Sequence, residues 1–263
     1  MNAIQVTVFS LILIFGATSL GAALVFVFRR NFSDRISNTI LGLASGIMIS
    51  AGIFGLLIPS IEEAENLYHS YAVFPVIIGF LLGGLLLTLL DKIVPHFHQQ
   101  RHEEEGPASK NLSRQIKFFL AVMIHNIPEG LAVGFSCGLA LSHQDATSIM
   151  GTLSLAIGIA IQNFPEGAAV SIPMLEEGAS RKKAFFYGVM SGIVEPIFGI
   201  VGLFLATQLT SIMAWLLAFS AGAMFYVTID ELLPSARKGD HAHYGLWSFM
   251  IGFCVMLALE LLI

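Results

Sequence analysis

Eight apolar stretches, at about 4–28, 38–60, 72–94, 116–140, 147–172, 184–208, 211–233 and 245–263, constrain this chain more than any other feature. Each is close to the ~20 residues that carry an α-helix through the hydrocarbon of a bilayer. In that medium every backbone N–H and C=O must be satisfied internally, which a helix does by itself. Composition agrees: 56% of the residues are hydrophobic and 12% charged, against roughly 25% charged in an ordinary globular domain. The expectation is an all-α integral membrane protein of eight transmembrane helices, acting as a single domain over residues 1–263.

Charge is sorted between the loops. All 13 Lys and Arg residues fall in four of them. Arg29, Arg30 and Arg35 are in the first; Lys92, Arg101, Lys110, Arg114 and Lys117 in the third; Arg181, Lys182 and Lys183 in the fifth; Arg237 and Lys238 in the seventh. The second loop is acidic, with Glu62, Glu63 and Glu65. The positive-inside bias puts the four basic loops in the cytoplasm and both termini outside, in the cell membrane. One helix more or fewer would leave basic loops on both sides. The first run lacks a positive leading region, so it reads as a retained helix and not a cleaved signal. No basic patch interleaved with aromatics suggests nucleic acid. Cys137 and Cys254 lie in apolar runs without a CxxC pairing and read as small core residues.

Within this apolar frame one motif occurs twice: His125-Asn126-Ile127-Pro128-Glu129-Gly130 and Gln162-Asn163-Phe164-Pro165-Glu166-Gly167. Carboxylates, amides and an imidazole in hydrocarbon are costly and mark a functional site. His125 and Glu129 are four apart and Asn126 and Glu129 three apart, so all share one helix face. Gln162, Asn163 and Glu166 repeat the spacing. Pro128 and Pro165 free the carbonyls of Ile124 and Ile161. If the two helices pack together, these donors converge on a site suited to a divalent cation; the bland reading is polar glue between kinked helices.

Other polar residues need places. Glu195, followed by Pro196, sits on a third interrupted helix and needs a partner, for which the double motif is the candidate. Met48 offers a thioether, although methionine is commonly a packing residue. Asp230-Glu231 reads as an interfacial charge pair in preference to a staging point at the cytoplasmic exit, and Glu260, near the outer end of the last run, as solvated. The third loop, 95–113, carries His96, His98 and His102 beside Glu103, Glu104 and Glu105. It reads equally as a flexible linker or a loose metal binder, with Asp240-His241-Ala242-His243 a weaker case. Gly79, Gly83, Gly84, Gly188, Gly192, Gly199 and Gly202 provide close helix contact.

With the doubled HNxPEG/QNxPEG motif, the Glu195-Pro196 pair and the His-rich loop, the chain resembles the ZIP (Zrt-, Irt-like) metal transporter family, and within it the bacterial ZupT/GufA-like branch. The resemblance covers nearly the whole chain. It implies helices four and five enclosed by two inverted three-helix units, a metal site between helices two, four, five and six, a homodimer and elevator-like movement. It also implies a primary site of His125, Glu129, Gln162, Glu166 and Met48, and an adjacent site of Asn126, Asn163 and Glu195 that shares Glu129 and Glu166. Some members carry aspartate at the position of Asn163, so here the second site has one charge less.

Three functions compete at this stage. The first is import of a divalent metal, Zn2+ foremost, with Fe2+, Mn2+, Co2+ or Cd2+ as further cargo. Imidazole, carboxylate, amide and thioether suit late first-row metals over magnesium and calcium. The second, an intramembrane metalloenzyme, lacks an HExxH, and the expectation is that the chain is not an enzyme. The third is proton-coupled transport of another solute on the buried carboxylates.

Overall fold

The computed structural model describes residues 1–27, 33–93, 96–98, 103–105, 114–176, 178–237 and 242–262. Eight helical spans are long and apolar enough to cross a membrane: Ala3–Phe26, Asp34–Tyr71, Val73–Ile93, Phe119–His143, Ala146–Leu175, Arg181–Gln208, Thr210–Ser235 and Ala242–Leu262. This is an all-α multi-pass membrane protein, as the apolar runs require.

The spans associate in four close pairs: first with fifth, fourth with sixth, second with eighth and third with seventh. Lipid gives apolar side chains little reason to prefer each other, so small residues that admit a neighbouring backbone decide the pairing. Gly21 and Gly167 bring the first and fifth spans together, since a methyl group on either would strike the Phe164 or Thr18 carbonyl. Gly134 packs on the Gly199 carbonyl, Gly46 on that of Phe249, and Gly83 on that of Phe219. Of the glycines singled out by their spacing, Gly83 makes such a backbone contact and Gly202 another, on the Leu131 carbonyl, whereas Gly84 meets only ordinary side-chain contacts. The first, fourth, fifth and sixth spans form one bundle, and the second, third, seventh and eighth the other.

Proline interrupts three spans. The second contains a π-helical stretch at Gly52–Leu57 before Pro59, and the seventh one at Thr228–Leu232 before Pro234. In each, the carbonyl that proline cannot serve, Gly55 or Asp230, lies inside the widened turn. The sixth span breaks at Ile193, one turn before Pro196, into Arg181–Gly192 and Val194–Gln208. By contrast, Pro128 and Pro165 lie inside continuous helices, Arg114–His143 and Ala146–Glu176.

Several local expectations change. The acidic segment with Glu62, Glu63 and Glu65 is not a loop: the second span continues as helix through Ile58–Tyr68. Ser60 Oγ donates to the Ala214 carbonyl at 2.7 Å and the Tyr68 hydroxyl to that of Ser211 at 2.6 Å, which ties this polar extension to the seventh span. Within the third loop, His96–His98 and Glu103–Glu105 pair as a small antiparallel ribbon with His96 opposite Glu105. His102, Arg29, Arg30, Arg101, Lys110, Lys238, Asp240 and His241 lie outside the described residues. Glu260 is not freely solvated; it is half-buried and faces Ser154 of the fifth span.

Candidate metal centre

The doubled motif converges. Asn126 and Asn163 are fully enclosed, Gln162 is 3% exposed, Glu129 2% and His125 8%. Gln162 Nε2 of the fifth span donates to Glu129 Oε1 of the fourth at 2.6 Å, directly joining the two copies. Glu166 is only half-buried and is a near neighbour of His125, Glu129 and Glu195.

Glu195 has the partners that an intramembrane carboxylate requires. Its Oε1 accepts from the Thr18 hydroxyl at 2.9 Å and from Asn126 Nδ2 at 3.2 Å, and its Oε2 accepts from Asn163 Nδ2 at 2.6 Å. The break at Ile193 sets Glu195 on a new helical start, fully buried against the fourth and fifth spans. A methyl group on Gly130 would strike the Glu195 carbonyl, so the motif glycine lets the sixth span approach this closely.

The amide orientations follow from partners that can only accept. Asn126 Nδ2 also donates to the Ser191 carbonyl at 3.0 Å, which turns its oxygen the other way. Of the nine buried side-chain oxygens without a hydrogen-bond partner among the described residues, four belong to the repeated motif: Asn126 Oδ1, Glu129 Oε2, Gln162 Oε1 and Asn163 Oδ1. All four are acceptors, and buried polar atoms are rarely left unpaired. Acceptors gathered beside two carboxylates suit a cation.

The residues are not arranged as a finished coordination shell. Among the described residues, no three His, Cys, Asp or Glu side chains are gathered to close on one metal ion. The donors are instead engaged with the protein. Gln162 holds Glu129, three donors hold Glu195, and His125 Nε2 lies 3.0 Å from Glu231 Oε1 of the seventh span. Met48 is 2% exposed, and its sulfur accepts from the Thr228 hydroxyl at 3.5 Å, at the head of the π turn that carries Glu231.

Sequence reasoning missed Thr18, Ser191 and Glu231. Glu231 was read as part of an interfacial charge pair, whereas the structure sets it against His125. The available signal was Pro234, three residues beyond: a carboxylate shortly before a proline in an apolar run is the kind of pairing that singled out Glu195 before Pro196. Thr18 carried no signal, because one hydroxyl in an apolar helix is ordinarily bonded to its own preceding turn, as Thr18 also is to the Ile14 carbonyl at 3.3 Å.

Comparison with known proteins is consistent along the chain. The family model described as ZIP Zinc transporter matches residues 98–260. "Zinc transporter ZIP11" of Homo sapiens is 32% identical, the match covering 93% of this chain and 93% of that protein. "Zinc transporter GufA" of Myxococcus xanthus is 34% identical over 93% and 94%. "Zinc transporter ZupT" of Corynebacterium aurimucosum is 32% identical over 94% of each.

Proposed function

This chain belongs to the ZIP zinc transporter family, a family of transporters and not enzymes, and on that footing we propose that it carries Zn2+ into the cytoplasm as one transport domain. The proposed path runs through a site on the second, fourth, fifth and sixth spans. Its primary ligands are His125, Glu129, Gln162 and Glu166, with Met48 completing the set; Fe2+, Mn2+, Co2+ and Cd2+ are further cargo. The observation that carries this reading is that four buried oxygens of the repeated motif, one of them on Glu129, have no hydrogen-bond partner among the described residues. A cation would satisfy them; another hydrogen-bonding protein group would need donors the site does not present.

Charge makes the two adjoining sites unequal. Glu129 and Glu166 balance one divalent cation without further help. Asn126, Asn163 and Glu195 add one carboxylate, so a second divalent ion would leave an excess of positive charge in hydrocarbon surroundings. Glu195 is already held by three donors, which supports one metal with a weak or protonated neighbour.

Two inverted three-helix units are the proposed architecture behind this site. If the first three spans correspond to the last three and the fourth to the fifth, the first–fifth pair maps onto sixth–fourth and the second–eighth pair onto seventh–third. Those are the four close pairs of the fold, and the π turns of the second and seventh spans map onto each other. The working form is read as a homodimer on the family resemblance alone, and its orientation in the cell membrane, with both termini outside, on the charge sorting of the loops.

The test is metal uptake by purified protein in liposomes, with and without a pH gradient. Zinc accumulation that Glu129→Ala removes is the expected result. Uptake of an organic solute driven by the gradient, with none of zinc, would favour the solute-transport alternative.

A further inference from the structure

At the outer end of the fourth span, as the loop charges orient the chain, His143 stands between two carboxylates. Its Nε2 is 3.1 Å from Glu63 Oε1 of the second span, and its Nδ1 is 3.8 Å from Asp145 Oδ2. The carboxylates lie on opposite edges of the ring, so this trio cannot close on one metal ion. It is a bridge, and it joins the two bundles: Glu63 belongs to one and His143 to the other.

The local structure holds His143 firmly. Only Gln144 and Asp145 separate the fourth and fifth spans, with Gln144 in the left-handed region at φ 56° and its N–H bonded to the Ala140 carbonyl at 2.9 Å. Asp145 caps the fifth span, accepting the Ser148 N–H and hydroxyl at 2.9 Å each. Those hydrogen bonds, the backbone one foremost, hold its carboxyl below the usual carboxylate range. The tip of the fourth–fifth hairpin is thus a rigid piece with the imidazole fixed upon it. Glu63 is equally placed, its side chain 12% exposed on a helix that Ser60 and Tyr68 tie to the seventh span.

We propose that the Glu63–His143 contact is an outer latch, which holds the bundle carrying the metal site against the other and must open for metal to reach the site from outside. The proposal rests on the transport reading only for its consequence; the latch itself is a contact between the two bundles. Other contacts between the bundles lie deeper: Ser220 Oγ donates to the Pro128 carbonyl at 3.0 Å, and Glu231 meets His125. The outer contact is the accessible one, with the His143 side chain 42% exposed.

The test uses full-length protein in bilayers, with Cys137→Ala and Cys254→Ser and spin labels on Leu67→Cys and Thr147→Cys, both exposed positions. The latched protein should show one dominant distance. Glu63→Gln and His143→Ala should each raise a longer-distance population about two- to fivefold, the change that a half-exposed polar contact can supply. In a separate unlabelled chain, Glu63→Cys and His143→Cys joined by a short reversible thiol cross-linker should lose zinc uptake and regain it on reduction. Identical distances in all the variants, or undiminished uptake when cross-linked, would overturn the latch. Failure of the wild type to take up zinc would count against the transport reading instead, while the distances would still decide the latch.

Discussion

Glu231 of the seventh span reaches His125 of the fourth at 3.0 Å, across the boundary between the two bundles. An imidazole proposed as a ligand is thereby held by a carboxylate that belongs to the other body. In the proposed site, metal would take His125 from Glu231 on binding and yield it on release. Glu231→Gln should therefore slow transport more than it weakens binding. Removing a charge-assisted hydrogen bond lowers uptake by about tenfold to a hundredfold, while zinc affinity in detergent changes by less than that. Uptake kinetics beside calorimetric titration check this; equal losses in both would contradict it.

Each motif carboxylate supplies half the charge that balances one divalent ion. Glu129→Ala and Glu166→Ala should each abolish uptake at normal membrane abundance. His125→Ala should weaken zinc by at least the tenfold to hundredfold lost when outer-shell partners of a metal are removed. Full activity in Glu129→Ala would show that the path lies elsewhere.

Glu195 separates stability from cargo choice. Glu195→Ala takes the shared acceptor from Thr18, Asn126 and Asn163 and leaves them only the carbonyls of Ile14 and Ser191; each hydrogen bond lost is worth about 0.5–1.5 kcal/mol, so thermal unfolding in detergent should begin at a lower temperature. Glu195→Gln retains an acceptor and should leave measurable transport with changed metal preference. Asn163→Asp adds the missing charge and should raise the zinc bound per chain. An unchanged stoichiometry would remove charge as the reason the second site is weak.

The glycine contacts predict which packing is essential. Gly46→Val forces the second span off the Phe249 carbonyl of the eighth, and overpacking of this kind costs about 1–3 kcal/mol. Gly151→Ala, where a methyl group meets nothing within 4 Å, should leave stability unchanged. Thermal unfolding of the two variants side by side makes the comparison.

Sidedness follows from the sorted charges. A cysteine at Glu65 should react with an impermeant reagent from outside intact cells, and one at Lys182 should not. Replacing His96, His98 and His102 together should leave transport largely intact while altering the response to high metal. Labelling at Lys182 from outside would invert the chain.

The parts legible in the sequence were those set by one-dimensional signals. Helical spans are written in apolar runs, and the site in a motif whose three- and four-residue spacing fixes a shared face. Glu129 and Gln162 meet as that spacing required. What the sequence hid depended on tertiary neighbours. The extension of the second helix through Glu62, Glu63 and Glu65 is polar and looks like a loop; its anchor is a hydroxyl, Ser60, on a distant carbonyl. Glu231 looked interfacial because hydropathy alone does not say which way the π turn aims it. Glu260 looked solvated because its partner Ser154 lies on a span more than a hundred positions away in the chain.

Zinc-edge anomalous diffraction from the purified protein crystallised with zinc tests the central claim most directly. The account predicts one strong peak enclosed by His125, Glu129, Gln162 and Glu166, with a weak peak or none beside Glu195. Zinc found only at the His96–His98 ribbon, with the intramembrane oxygens still unoccupied, would contradict it.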